Sequence, residues 1–195
     1  MRLDEDAVRQ TSADARERWA RRCAELTPQQ WSTATRCTPW DVRGLVSHRC
    51  PDLSLFDMLN AATTDGRAAV ADAAEMPRRF NAPGGIAHTS AGSIAERTTR
   101  LRRRPGEAVT RFTECAEILR ATTMSNEAVI SCPVLGSTTS AVIAEVALME
   151  VTVHLLDLLV DVPDPTAAIE VLAGRAIQRS LCRRSGDDRP PLTAN

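Results

Sequence analysis

Neither lysine nor tyrosine occurs among the 195 residues, so all 24 basic side chains are arginines and every fixed side-chain cation is a guanidinium. Surplus charge of either sign is missing too. Against 25 acidic residues the formal net charge is −1, which excludes the electrostatic footprint of a nucleic-acid binder or of a protein drawn to an anionic membrane. The six cysteines (Cys23, Cys37, Cys50, Cys115, Cys132 and Cys182) show no CxxC pair and no repeated spacing, so free thiols in a reducing cytoplasm are expected. The N-terminal residues are acidic and polar rather than basic then apolar, which argues against a signal peptide. No internal repeat or low-complexity tract is visible. A chain of this length is long enough for one proper core, and a single domain over 1–182 is expected, followed by a mobile polar tail at 183–195.

What is present is mostly helical pattern. Asp6–Leu26 is rich in Ala, Arg and Glu, with Ala7, Ala13, Trp19 and Leu26 as inward positions. Thr27-Pro28-Gln29-Gln30 supplies a cap, a first-turn proline and a glutamine able to close a capping box, starting a short helix around Trp31. Thr38-Pro39-Trp40-Asp41 repeats the pattern and opens a second helix that carries His48 toward Asn60, with Pro51 kinking or interrupting it. Asn81–Gly85 is a break. A third helical stretch covers 93–121, interrupted at Pro105-Gly106, and 128–136 is extended, a short strand or hairpin arm. Ser137 or Thr138 caps a fourth helix over the apolar run Ala141–Val160, and Asp164-Pro165 begins a last one reaching Leu181. Long helices with little strand predict an all-α fold, an antiparallel four-helix bundle with a minor short strand or hairpin.

The run Ala141–Val160 has the length of a membrane span, yet Glu150, His154 and Asp157 near its middle favour the central helix of a soluble bundle. At roughly 100° per residue Glu145 and Thr152 fall within about 20° of each other and form a solvent edge. Glu150, His154 and Asp157 cluster within about 60° on the opposite side, aimed at the core. Buried charge is costly unless paired or bound to a metal. Glu and His four apart can reach one ion, and His48 from a facing helix would complete three ligands with open positions, the pattern of a catalytic zinc. Asp157 could hold a ring N–H of His154 or be a further ligand. Spacing alone leaves this open against a satisfied ion pair between Glu150 and His154, because E-x-x-x-H is common by chance. Taken singly, His48 on the edge of the face set by Val42, Leu45 and Val46 reads as a hydrogen-bonded core histidine. His88 reads as a surface residue, Arg102–Arg104 as a solvated face, and Cys37 and Cys50 as packing residues.

Two longer motifs add to this. Trp31-Ser-Thr-Ala-Thr-Arg-Cys37-Thr-Pro-Trp40-Asp-Val-Arg-Gly-Leu-Val-Ser-His48 resembles the N-terminal signature of the mycothiol-dependent maleylpyruvate isomerase-like proteins, members of the DinB-like superfamily of four-helix bundles. Glu150-Val-Thr-Val-His154-Leu-Leu-Asp157 resembles their Glu-x-x-x-His-x-x-Asp on the last bundle helix. The resemblance implies a divalent metal held by His48, Glu150 and His154, zinc in the first instance, with nickel or manganese as alternatives, and Asp157 in a catalytic or orienting role. It implies mycothiol as a thiol cofactor, activated for addition to an electrophilic small-molecule substrate in an isomerase or transferase reaction. Two other readings stay beside it: a thiol-independent metal-assisted isomerase, cyclase or hydrolase, and a metal-free helical binding protein. Arginine in place of lysine with abundant alanine fits a GC-rich, actinomycete-type genome. Bundles of this kind are also compatible with a homodimer, and no nucleic-acid or membrane partner is expected.

Overall fold

Glu5–Glu25 forms the first helix, α1, of a computed structural model that describes residues 5–123, 125–132 and 136–162. The helix expected after Asp164, the tail and Cys182 lie outside the described residues. Val8, Ala15, Trp19 and Cys23 make the buried stripe of α1 at the spacing of one helix face. Ala13 and Leu26 are buried as expected, whereas Ala7 is exposed and Val8 points inward in its place, since one residue along a helix turns the side chain by about 100°. The reciprocal capping box after α1 is realised: the Thr27 N–H donates to Gln30 Oε1 at 2.8 Å and the Gln30 N–H to Thr27 Oγ1 at 3.3 Å, ahead of a 3-10 turn, Gln30–Ser32, that buries Trp31.

The second helix, α2 (Val42–Arg49), starts later than Thr38. Asp41 is its cap, accepting from the Gly44 N–H at 2.8 Å, because residues 34–41 close into a tight loop through the Ala34–Asp41 bridge and leave Pro39 and Trp40 outside the helix. Pro51 ends α2, and a separate α3 (Ser54–Ala61) follows. Three further helices, α4 (Glu75–Phe80), α5 (Ile86–Thr89) and α6 (Ala91–Arg100), flank the expected break at 81–85. Pro105 occupies the first turn of α7 (Pro105–Ala121), where its missing N–H costs nothing. Arg102 and Arg103 are more than a solvated face: Arg102 pairs with Asp41, and the Arg103 N–H donates to Ser47 Oγ at 2.9 Å, tying the start of α7 to α2.

Strands β1 (Thr63–Thr64), β2 (Val129–Cys132) and β3 (Gly136–Thr139) form a small antiparallel sheet in that order, with Thr63 opposite Ile130 and Ile130 opposite Thr138. Of the extended segment predicted at 128–136, Val129–Cys132 is strand β2, paired antiparallel with β3, and residues 133–135 lie outside the described residues. Because Ser137 and Thr138 belong to β3, the cap of α8 (Ser140–Asp161) falls to Thr139, whose side chain accepts from the Val142 N–H at 3.3 Å.

The bundle is built from α1, α2, α7 and α8. Antiparallel α1 and α7 meet where Trp19 stacks on Phe112, centroids 5.3 Å apart, and where Arg120 bridges to Asp14 at 3.0 Å and Glu17 at 2.6 Å. Trp19 Nε1 donates to Val151 O at 2.9 Å and Arg22 donates to Val162 O at 2.7 Å, locking α1 to α8. Val42, Leu45 and Val46 of α2 fill the remaining side of the core. On α8 the expected solvent edge is corrected. Thr152 is 3% exposed inside the bundle, and the face open to solvent is the apolar set Met149, Val153, Leu156 and Val160. Among the described residues no helix is long and apolar enough to cross a membrane.

Candidate functional site

Residues 33–41 fold back on themselves because short backbone bonds replace helix: Thr35 N–H to Trp40 O at 3.2 Å, Trp40 N–H to Cys37 O at 3.0 Å and Val42 N–H to Thr33 O at 2.9 Å. The far end of the loop is pinned to α8, where Asp161 accepts from the Arg36 backbone at 2.9 Å and its Nε at 3.2 Å. The result places Cys37 over the polar side of α8. Next to it, Gly44 allows Trp40 to lie against α2; a Cβ at Gly44 would come within 2.9 Å of Trp40 Cβ. Trp40 in turn stacks on His48 at 4.2 Å between centroids.

Three of the residues singled out on α8 do converge, and His48 meets them from α2. The His48 and His154 rings are edge to face at 5.4 Å. His154 Nε2 lies 3.7 Å from Glu150 Oε2, and its Nδ1 lies 3.2 Å from Asp157 Oδ2. These groups are part-buried rather than enclosed in the core, with Glu150 41% exposed. Asp157 selects the tautomer: a proton on Nδ1, donated to its carboxylate, leaves Nε2 as a lone-pair donor on the side of Glu150 and His48. Burial pushes the His48 pKa down to about 4, helped by the nearby Arg49 guanidinium and by His154. Burial also lowers that of His154, with Arg49 second; Glu150 and Asp157 oppose the shift without cancelling it. Both imidazoles are therefore neutral at pH 7, the state a metal requires.

Cys37 is the residue whose place the sequence reading missed. It is not inert packing: its Sγ–H donates to Asp157 Oδ2 at 3.3 Å and lies 3.8 Å from His154 Nδ1. Ligand atoms of Cys37, His154 and Asp157 all fall within 4.8 Å of one another, the one grouping of this metal-ligating type among the described residues, and of the expected ligands His48, Glu150 and His154 it contains only His154. Burial, then the hydrogen bond to Asp157, pushes the Cys37 thiol up to about 11, so at neutral pH it is a protonated donor to the carboxylate. The signal that could have found it is its position two residues after Thr35 in the same stretch as Trp40 and His48. Cys50 does pack against the core, and His88 is exposed, its Nε2 3.2 Å from Asn81 O.

Arg49, one residue past His48, enters the same region. Its Nη1 is 3.5 Å from Glu150 Oε2, and its Nε is buried without a hydrogen-bond partner. Trp40 Nε1 is a second buried donor left unpaired.

No curated protein and no solved structure matches this chain. A family model does: residues 12–159, which contain α2, α7, most of α8 and the side chains Cys37, His48, Glu150, His154 and Asp157, match the mycothiol maleylpyruvate isomerase N-terminal domain, and the chain belongs to that family.

Proposed function

We propose that this part-buried site binds one divalent metal ion through His48, Glu150 and His154, and that the protein is an enzyme activating a low-molecular-weight thiol, mycothiol, for addition to an electrophilic small molecule. The observation that carries this reading is the convergence of two neutral imidazoles and a carboxylate from two helices, with the far nitrogen of His154 held by a second carboxylate. The donor set fits zinc and accommodates nickel or manganese. When bound, such an ion supplies Lewis acidity that keeps a coordinated thiol ionised at neutral pH.

The chain's own residues do the rest. Trp40 fixes the plane of His48, Asp157 fixes the tautomer of His154, and Cys37 holds Asp157. Addition of the thiolate sulfur to an activated double bond forms a C–S bond and moves the π pair onto the conjugated carbonyl oxygen. Rotation followed by loss of the same thiolate restores the double bond in the other geometry, an isomerisation; protonation at carbon instead retains the thioether, a transfer.

The test is elemental analysis of protein purified without a histidine tag. About one equivalent of a divalent ion is expected, lost in His154→Ala and bound about 10–100-fold more weakly in Asp157→Asn. A wild-type protein that takes up no metal after incubation with Zn²⁺, Ni²⁺ and Mn²⁺ would overturn the reading and leave a helical binding protein with a Glu150–His154 pair. Turnover that persists without mycothiol would keep the metal and remove the thiol.

A further inference from the structure

Large apolar side chains of α8 stand open to solvent in a row. Met149, Val153, Leu156 and Val160 are between 37% and 57% exposed, and at i, i+4, i+7 and i+11 they fall within about 60° of one another. Single exposed apolar residues need no explanation, but a continuous stripe about 16 Å long does. The opposite face of α8, with Val151, Leu155 and Leu158, is buried in the core, so the helix is apolar on two sides and covered by described residues on one.

One end of the stripe lies where the described chain stops. α8 ends at Asp161, and Val162 is held in place, its N–H donating to Leu158 O and its carbonyl accepting from Arg22. Residues 163–195 follow, outside the described residues, and their sequence carries a matching pattern. Ile169, Leu172, Ala173, Ala176 and Ile177 recur at i, i+3, i+4, i+7 and i+8, the spacing of one helix face, while Glu170, Arg175, Gln178 and Arg179 fall off it. Asp164 and Pro165 supply a cap and a first-turn proline ahead of that run. The residue steps from Val162 to Pro165 reach up to about 10 Å. Packed helices lie about 8–10 Å apart, so this connection suffices for a tight antiparallel return.

We propose that residues 165–181 fold back as an amphipathic helix antiparallel to α8 and cover the stripe, Ile169 toward Val160 and Ile177 toward Met149. The lengths agree, about 16 Å of stripe against about 25 Å for a helix over 165–181. Alanine at 173 and 176 keeps the middle of the contact shallow, which lets the two axes approach closely. Glu150 and Asp157 lie about 80–100° round α8 from the stripe, so the returning segment borders the proposed metal site, although its docking needs no metal.

Hydrogen exchange of the full chain, read peptide by peptide, tests it. In wild type, amides within 166–181 are expected to exchange at least about tenfold more slowly than an unstructured chain, at a rate independent of protein concentration. V153E/V160E, which charges the two most exposed positions of the stripe, should remove that protection while α1 and α7 keep theirs. If V153E/V160E fails to fold, I169E/L172E carries the test from the other side, read as oxidation of Met149 by hydrogen peroxide. Met149 should oxidise several-fold faster in I169E/L172E than in wild type, with the exposed Met58 unchanged as internal reference. No protection at 166–181 in wild type overturns the proposal, as does protection that survives in V153E/V160E or Met149 oxidation unaltered by I169E/L172E. Protection that rises with protein concentration, together with a doubled mass, puts a second copy on the stripe instead and overturns it too.

Discussion

Asp157 holds two groups with one oxygen, accepting from His154 Nδ1 and from Cys37 Sγ. That shared acceptor is why a thiol from a loop and an imidazole from a helix keep a common geometry. Cys23 and Cys115 are buried and Cys50 packs against the core, and the chemistry of these three thiols shows on the alkaline side. Desolvation pushes Cys23 up to about 12 and Cys50 up to about 11, and it raises Cys115 as well. A thiol whose folded pKa exceeds its unfolded value contributes stability that is intact below the unfolded value of 9.0 and is lost as pH climbs toward the folded one. Because the chain has no lysine and no tyrosine, thiols are the side chains that titrate in this window. The urea midpoint is therefore expected to fall between about pH 9 and 11. It should fall less steeply in Cys23→Ala, and a midpoint flat across that range would refute the assignment.

At the scale of elements, the site depends on a loop and a short helix that hold each other. α2 has only eight residues, too few to be stable alone, so its cap at Asp41, the Arg102 pair and the Ser47 contact with α7 matter more than helix propensity. Gly44 shows which effect wins. In an exposed helix, Gly→Ala stabilises by up to about 1 kcal/mol. Here the new methyl would meet Trp40 Cβ, part of a constrained loop, at 2.9 Å. Overpacking of this kind costs about 1–3 kcal/mol, so Gly44→Ala is expected to be net destabilising and to move Trp40 off His48. Thermal melting together with tryptophan fluorescence reads both effects; a variant more stable than wild type with unchanged fluorescence would show that the loop yields freely.

For the whole molecule, the Trp19–Phe112 stack joins α1, α7 and, through Val151 O, α8. Phe112 is completely buried. Phe112→Ala should cost about 3–5 kcal/mol, a large share of the roughly 5–15 kcal/mol that holds a domain together. Denaturant unfolding should show the midpoint drop, and metal uptake should weaken with it because α2 and α8 lose the core that sets their separation. A loss below about 1 kcal/mol would mean that the cavity collapses and that the stack is not central.

The local sequence was sufficient for whatever depends on near neighbours. Periodicity and caps located the long helices, the capping box at Thr27–Gln30 and the breaks at Pro51, 81–85 and Pro105, since each is settled within a few residues. The i, i+4 spacing of Glu150 and His154 likewise put both on one face, and Asp157 one turn on. Misreadings came where a distant partner decides. Thr152 is buried because α8 is packed on several sides, so its polarity did not mark the solvent edge, and Met149 and Val153 are exposed despite being apolar. Thr38 lost the capping role to Asp41 because residues 34–41 close on themselves. Cys37 looked like packing until the loop was pinned to Asp161, far along the chain, and Arg49 looked like one arginine of 24 until Glu150 was found beside it. Residue type and spacing determined which side chains could act; the closing of a loop and the packing of α2 on α8 decided which ones meet, because those contacts arise from long-range burial that no local pattern encodes.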